Sequence, residues 1–228
     1  MYRKGADELA AARAELVSYG TRLLDDGLAA GSAGNLSVRM GDIVAITPSG
    51  IPYADLRPAD ICLVSSAGAR LDEDGTDPLQ TPSSETPMHL AIYAAASAAA
   101  VVHTHSPEVV ALSASRPELP AIHYAISALG GPVRVAPYLR FGSAALAAAA
   151  VEALAGRSAV ILRNHGAVTY GRHLAQAYER ALLLEWLART YRLALSYGEP
   201  ATLSASELAE VAAESRRRRY GERRTPPS

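Results

Sequence analysis

Leu9, Leu16, Leu23 and Leu24, with Ala12 and Tyr19 between them, recur at helical spacing. That period predicts an amphipathic helix from Asp7 to Leu28, ended by the small residues of "AAGSAGN". Two short apolar segments follow, "NLSVRM" and "DIVAIT", joined through Gly41 and Asp42 in a hairpin-like turn. "DICLVS" predicts a third strand, with a turn at "TPSGIP" before it and the long polar connection "SAGARLDEDGTDPLQTPSSE" after it. Pro87 sits where a helix can start, and Met88 to Ala98 continue it.

"AAVVHTH" predicts an apolar strand, and "SPEVVALSAS" a helix with Ser106 as N-cap, Pro107 at its first position and Glu108 in its first turn. "AIHYAISALGG" fits neither period cleanly. "PVRVAPY" predicts a strand, and "GSAALAAAAVEALAG" a helix closing on glycine. "SAVILRNHG" and "GAVTYG" are further strands, and His173 to Ser196 a long amphipathic helix. Ser204 and Glu207 form a capping box for a last helix reaching about Arg218. Strands and helices mix throughout, and the early hairpin argues against an all-parallel sheet. The expected fold class is α/β: a single three-layer α/β/α domain over residues 1–215, around a central mixed, largely antiparallel sheet. Residues 216–228 are expected to form a basic, flexible tail.

Composition changes this picture little. Charged residues at 20% and hydrophobic residues at 49% are ordinary for a globular domain. A net charge of -1 gives no general attraction to nucleic acid or to an anionic membrane. Arg216 to Arg219 are a local exception, and a helix C-terminus that favours cations accounts for them. A nucleic-acid-binding tail is the rival reading, disfavoured by the near-zero total. Cys62 is the only cysteine and sits in the apolar run "ICLV", so a buried, unreactive thiol is expected. The first ten residues contain no apolar core of a secretory signal, and no apolar stretch reaches the ~18 residues of a membrane span. A soluble, cytoplasmic protein is expected.

The chemistry concentrates in the histidines. His103 and His105 lie two apart at the end of an apolar strand, where i and i+2 face the same way, ~6.5–7 Å apart. Neutral imidazoles so placed suit zinc, although an HxH pair alone is commoner as hydrogen-bonded strand-end histidine. His165, in "ILRNHGAV", ends another apolar strand, with Gly166 beside it to permit a tight turn. Two strand ends delivering histidine to one sheet edge make a three-His site plausible. His89, His123 and His173 are read as structural or surface residues. Three small polar loops, "GSAGN", "TPSG" and "PSSE", carry the glycine, hydroxyl and backbone N–H groups that bind oxyanions, and the same residues also mark ordinary turns. Glu85, ending "PSSE", is a general base if the fold brings it to the metal, and a solvated helix-start glutamate if not.

"GSAGNLSVR", "ITPSGIPY", "PSSE", "VVHTHS", "LPAIHY", "APYLRFGS" and "NHGAV" occur here in the order of the class II aldolase/adducin family, which the chain resembles from about Leu9 to Gly221. The resemblance implies a zinc enzyme, one Zn2+ per subunit, assembled as a C4 homotetramer with active sites between subunits. It implies a lyase that reversibly cleaves a ketose 1-phosphate of the L-fuculose 1-phosphate type into dihydroxyacetone phosphate and a small aldehyde such as lactaldehyde. Carried residue by residue, the metal ligands are His103, His105 and His165, and Glu85 is the acid/base. Ser32, Asn35, Ser49, Gly50, Ser83 and Ser84 fall on phosphate-binding positions. Tyr124 matches a tyrosine donated across the subunit interface, and Tyr220 a mobile C-terminal tyrosine that helps close the site. Ser32 and Ser49 stand where threonine is usual and keep the hydroxyl. The only lysine, Lys4, lies far from every motif, which argues separately against Schiff-base chemistry.

Rival members of the family imply other reactions. A ribulose-phosphate 4-epimerase resembles this scaffold but carries aspartate at the Glu85 position and an acidic residue at the Tyr124 position. A methylthioribulose-1-phosphate dehydratase shares the three histidines, and "LPAIHY" with Tyr220 argues against it. Adducin-type members are binding proteins with a degenerate site, whereas all three histidines and Glu85 are present here.

Overall fold

The computed structural model describes residues 2–71 and 80–218, without the side chains of residues 2–5. Eight strands form one sheet in the order β3-β2-β1-β4-β8-β7-β6-β5. β1 (Asn35–Met40) and β2 (Ile43–Ile46) make the expected hairpin, and β3 (Cys62–Ser65) extends it antiparallel to β2. β4 (Ala100–Thr104) pairs antiparallel with β1 on one side and β8 (Gly166–Gly171) on the other. β7 (Ala159–Leu162) pairs antiparallel with β8 and parallel with β6 (Val133–Ala136), while β5 is the short Glu118–Leu119. The sheet is therefore mixed and largely antiparallel, as expected.

Helices cover both faces, and strand alternation decides which side chain meets which. On β4, Ala100 and Val102 enter a core with α1 (Tyr2–Asp25) and α5 (Leu174–Leu195). Val101 points the other way, into a core with α2 (Thr86–Ala95) and α4 (Ala144–Ala153). β7 divides likewise, Val160 and Leu162 toward α2 and α4, Ala159 and Ile161 toward α5 and α3 (Pro107–Ser115). Leu16 and Leu23 of α1 are fully buried, each worth about 1.5–3 kcal/mol relative to exposure. Cys62 is buried with its thiol toward the Asp60 carbonyl, and burial pushes its pKa up. Among the described residues, no helix is long and apolar enough to cross a membrane.

Some local expectations change. Ser106 holds the N-cap position of α3, yet its hydroxyl makes no cap bond. Glu185, reaching over from α5, accepts from the N–H groups of Glu108 and Val109 instead, so a carboxylate meets the positive helix end. "AIHYAISALGG" forms a short 3-10 helix, Tyr124–Leu129, ended by Gly130 at φ 94. The Ser204/Glu207 capping box is present at the start of α6 (Ala205–Arg217). Arg216 and Arg217 thus close that helix instead of opening a tail, and Arg217 pairs with Glu214 at 2.6 Å. Tyr220 and the rest of the basic end lie outside the described residues.

Candidate metal centre and its cavity

β4 turns His103 to the same face as Val101, toward α2, and buries it completely. The Nδ1–H of His103 donates to the Ala167 carbonyl at 2.9 Å, so Nε2 is the atom presented to the site. His105 lies one residue beyond β4, anchored by its backbone N–H to the Leu28 carbonyl at 3.0 Å. His165 sits in the β7–β8 turn. The left-handed residue of that turn is Asn164 (φ 53), not Gly166. Gly166 is needed for another reason: a Cβ there would stand 2.0 Å from the Thr104 carbonyl oxygen. Its absent side chain lets the turn approach the end of β4. The three rings then pack edge to face, with centroids 4.8–4.9 Å apart.

Glu85 completes the cluster from the N-cap of α2. Its carboxylate makes no cap bond and points into the site. Oε2 lies 2.8 Å from His103 Nε2 and accepts from Asn35 Nδ2 at 3.0 Å. Oε1 is buried without a hydrogen-bond partner, 3.5 Å from His165 Nε2. One donor atom from each of Glu85, His103, His105 and His165 lies within 4.8 Å of the others. Three imidazole nitrogens, a carboxylate and an orphaned buried oxygen fit a divalent metal ion.

The electrostatics agree. Burial opposes the charge of Glu85, but the His103 cation beside it, helped by His165 and the Asn35 amide, holds the carboxyl well below its ordinary range. Burial also opposes the charge of His103, yet Glu85 and the Ala167 carbonyl raise its pKa above the usual imidazole value. His105 is pushed down to about 3 by burial and by the neighbouring imidazoles, and His165 is lowered for the same reasons. Two imidazoles are thus shifted toward the neutral form that a metal requires, and His103 lies against Glu85 to share a proton.

Above the cluster opens a cavity of about 320 Å³. All six expected phosphate positions, Ser32, Asn35, Ser49, Gly50, Ser83 and Ser84, line it. Their loops are tied together: Ser49 Oγ donates to the Pro82 carbonyl at 3.2 Å and accepts from Ser84 N at 3.1 Å. Gly34, at φ 78, lets the first loop pass close to the His103 carbonyl, which a Cβ would meet at 2.6 Å. Two of the six turn inward to Glu85. Asn35 donates to its carboxylate, and Ser83 Oγ accepts its backbone N–H at 3.2 Å.

Tyr124 is not brought to this cavity within one chain; it is 55% exposed, stacked on His123, whose ring meets Trp186 edge-on. Tyr138, Phe141 and Asn164 line the cavity and were not singled out by sequence. Tyr138 and Phe141 are exposed aromatics in the segment "APYLRFGS", a pairing that could have flagged them. His173 caps α5, accepting from Gln176 N, which confirms its structural reading.

The family profile described as Class II Aldolase and Adducin N-terminal domain matches residues 14–192. A Bacillus thuringiensis protein named 5-deoxy-D-ribulose 1-phosphate aldolase is 37% identical over 203 residues, 88% of this chain and 93% of that protein. A Rhodospirillum rubrum protein named 5-methylthioribulose-1-phosphate/5-deoxyribulose-1-phosphate aldolase is 40% identical over 203 residues, 88% of this chain and 89% of that protein. A solved structure titled L-fuculose 1-phosphate aldolase superposes with a TM-score of 0.85 at 35% identity, covering 90% of this chain and 96% of that one.

Proposed function

Because this chain belongs to the class II aldolase and adducin family, we propose that it is a zinc-dependent aldolase releasing dihydroxyacetone phosphate and a short aldehyde from a ketose 1-phosphate. The observation that carries this reading is the convergence of Glu85, His103, His105 and His165 on one point beneath the serine- and glycine-lined cavity. An adducin-like binding role would leave that donor set without a use.

His103, His105 and His165 would hold the metal, with Glu85 as a fourth donor that also lines the cavity. A bound divalent ion supplies a Lewis acid beside the oxygens on which negative charge develops. The Ser49–Gly50 and Ser83–Ser84 loops, with Ser32, anchor the phosphate, so binding far from the reacting bond positions it. When the C3–C4 bond breaks, its electron pair moves toward the carbonyl and C3 then takes a proton. Glu85, which lines the cavity, would carry that proton. Tyr124, exposed on one chain, would serve the C4 hydroxyl of a neighbouring subunit in a C4 tetramer. Tyr220 would help close the site.

The relatives move the substrate expectation. Both curated relatives described above are named for 5-deoxypentulose 1-phosphates, whereas the sequence motifs suggested L-fuculose 1-phosphate. We therefore place 5-deoxyribulose 1-phosphate, which yields acetaldehyde, ahead of L-fuculose 1-phosphate, which yields lactaldehyde. The test is the ratio of kcat/KM for these two compounds. A ratio above one supports that order, and a ratio below one restores L-fuculose 1-phosphate.

A further inference from the structure

Behind Glu85 a buried chain of hydrogen bonds runs away from the cavity, and beyond Asn35 the site's chemistry has not used it. Glu85, His89 and Tyr93 stand four residues apart, one stripe along α2. Asn35 and Ser37 stand two apart on β1, paired with His103 and Val101 of β4, and face that stripe. Asn35 Nδ2 donates to Glu85 Oε2 at 3.0 Å. Asn35 Oδ1 lies 2.6 Å from His89 Nε2. His89 Nδ1 lies 2.7 Å from Ser37 Oγ, which lies 2.7 Å from the Tyr93 hydroxyl. All five side chains are buried, His89 and Ser37 completely.

The direction of every bond in this chain follows from its end. A carboxylate only accepts, so the Asn35 amide must present its N–H to Glu85 and its oxygen to His89. That oxygen also only accepts, so His89 carries its proton on Nε2. Nδ1 is then an acceptor, which takes the Ser37 O–H, and Ser37 in turn accepts from Tyr93. Arg39 fixes the far end, donating to the Tyr93 carbonyl at 3.0 Å with its guanidinium 5.2 Å from the ring centroid. Burial, with the charge of His103, pushes His89 down to about 3, which keeps the ring neutral with a single proton.

We propose that His89 is a positioning residue: as the Nε2–H tautomer it locks the Asn35 amide, and the locked amide aims the Glu85 carboxylate. Without that donor the amide turns freely, and its oxygen facing Glu85 would repel the carboxylate. A residue that merely fills the core would need only the ring's volume. The kinetic part of this inference rests on the aldolase reading above; the tautomer does not.

The test uses the zinc-loaded full-length enzyme with a ketose 1-phosphate. His89→Leu should lower kcat by about 10–100-fold, the scale for losing a partner behind a metal ligand, with KM and zinc content unchanged. His89→Gln, whose amide N–H replaces the Nε2 donor, should recover most of the rate. Equal rates for the Leu and Gln variants, or a wild-type rate for Leu, would overturn the proposal. In parallel, 15N NMR of the wild-type protein should show His89 with a proton on Nε2 and none on Nδ1; the opposite tautomer overturns it too. If wild type releases no dihydroxyacetone phosphate from any ketose 1-phosphate, the aldolase reading fails, and the NMR result still decides the tautomer. Should His89→Leu not fold, the Gln variant and the spectrum decide.

Discussion

Nε2 of His103 lies 2.9 Å from Nε2 of His105, closer than two lone pairs tolerate with nothing between them. Because His103 already donates its Nδ1 proton to Ala167, the two nitrogens need a hydrogen between them in the metal-free protein, and a divalent ion can take that place. The whole cluster is arranged around that requirement.

Replacing any of its imidazoles should therefore remove the metal. His103→Ala, His105→Ala and His165→Ala are each expected to lose metal on gel filtration, read by elemental analysis. In wild type, chelation should lower Tm, since an ion bound only by the folded state stabilises it. Full metal content in all three variants would contradict the assignment.

Metal uptake should release protons in a way set by His103. Its pKa is raised, so at a pH below the ordinary imidazole value of about 6.5 it is protonated in the metal-free protein. His105, near 3, is already neutral there, and His165 is shifted toward its neutral form by burial and the His103 charge. Calorimetry in buffers of different ionisation enthalpy should find about one proton released per site near pH 6, falling toward none as pH rises through the His103 value. The stabilising His103–Glu85 pair of the metal-free protein follows the same sign: fully present below the unfolded His pKa, and lost as pH rises through the folded one. Two or more protons released at pH 6 would show that His105 or His165 is charged.

Glu85→Gln keeps the volume and an oxygen donor and removes the proton carrier. Metal content should persist while kcat falls by about 10²–10⁴. Loss of the metal in this variant would make Glu85 an obligatory ligand.

Gly166→Ala forces a Cβ onto the Thr104 carbonyl and crowds His103 Cε1, 3.3 Å away. The β4–β8 ladder must open at its end, beside His103 and the flanking His105 and His165. Denaturant unfolding should show a loss of about 1–3 kcal/mol, with weakened metal binding. A variant as stable and as fully metallated as wild type would show that the close approach is not required.

Much of this site was readable from the chain because it depends on short-range spacing. His103 and His105 two apart on a strand, and His165 beside a glycine, announce strand ends with ligands. The apolar runs of β4 and β7 likewise announced strands. What escaped depends on contacts across the fold. The Asn35–His89 bond joins a strand to a helix 54 residues away, and His89 alone looks like core filling. Its signal was present as the Glu85, His89, Tyr93 stripe opposite the Asn35, Ser37 alternation, but only pairing β1 with β4 brings the two together. Glu185 displaced Ser106 as the cap of α3 for the same reason, a tertiary partner replacing a local one. Tyr124 entered only through the resemblance, and on one chain it is exposed and away from the cavity.

The most direct test of the account is release of dihydroxyacetone phosphate from 5-deoxyribulose 1-phosphate, followed through a coupled NADH-consuming reductase, with metal removed and then restored. Steady release by the loaded enzyme, its loss after chelation, and its return on adding zinc are the expected result. Undiminished release after the metal has been shown to be gone would contradict it.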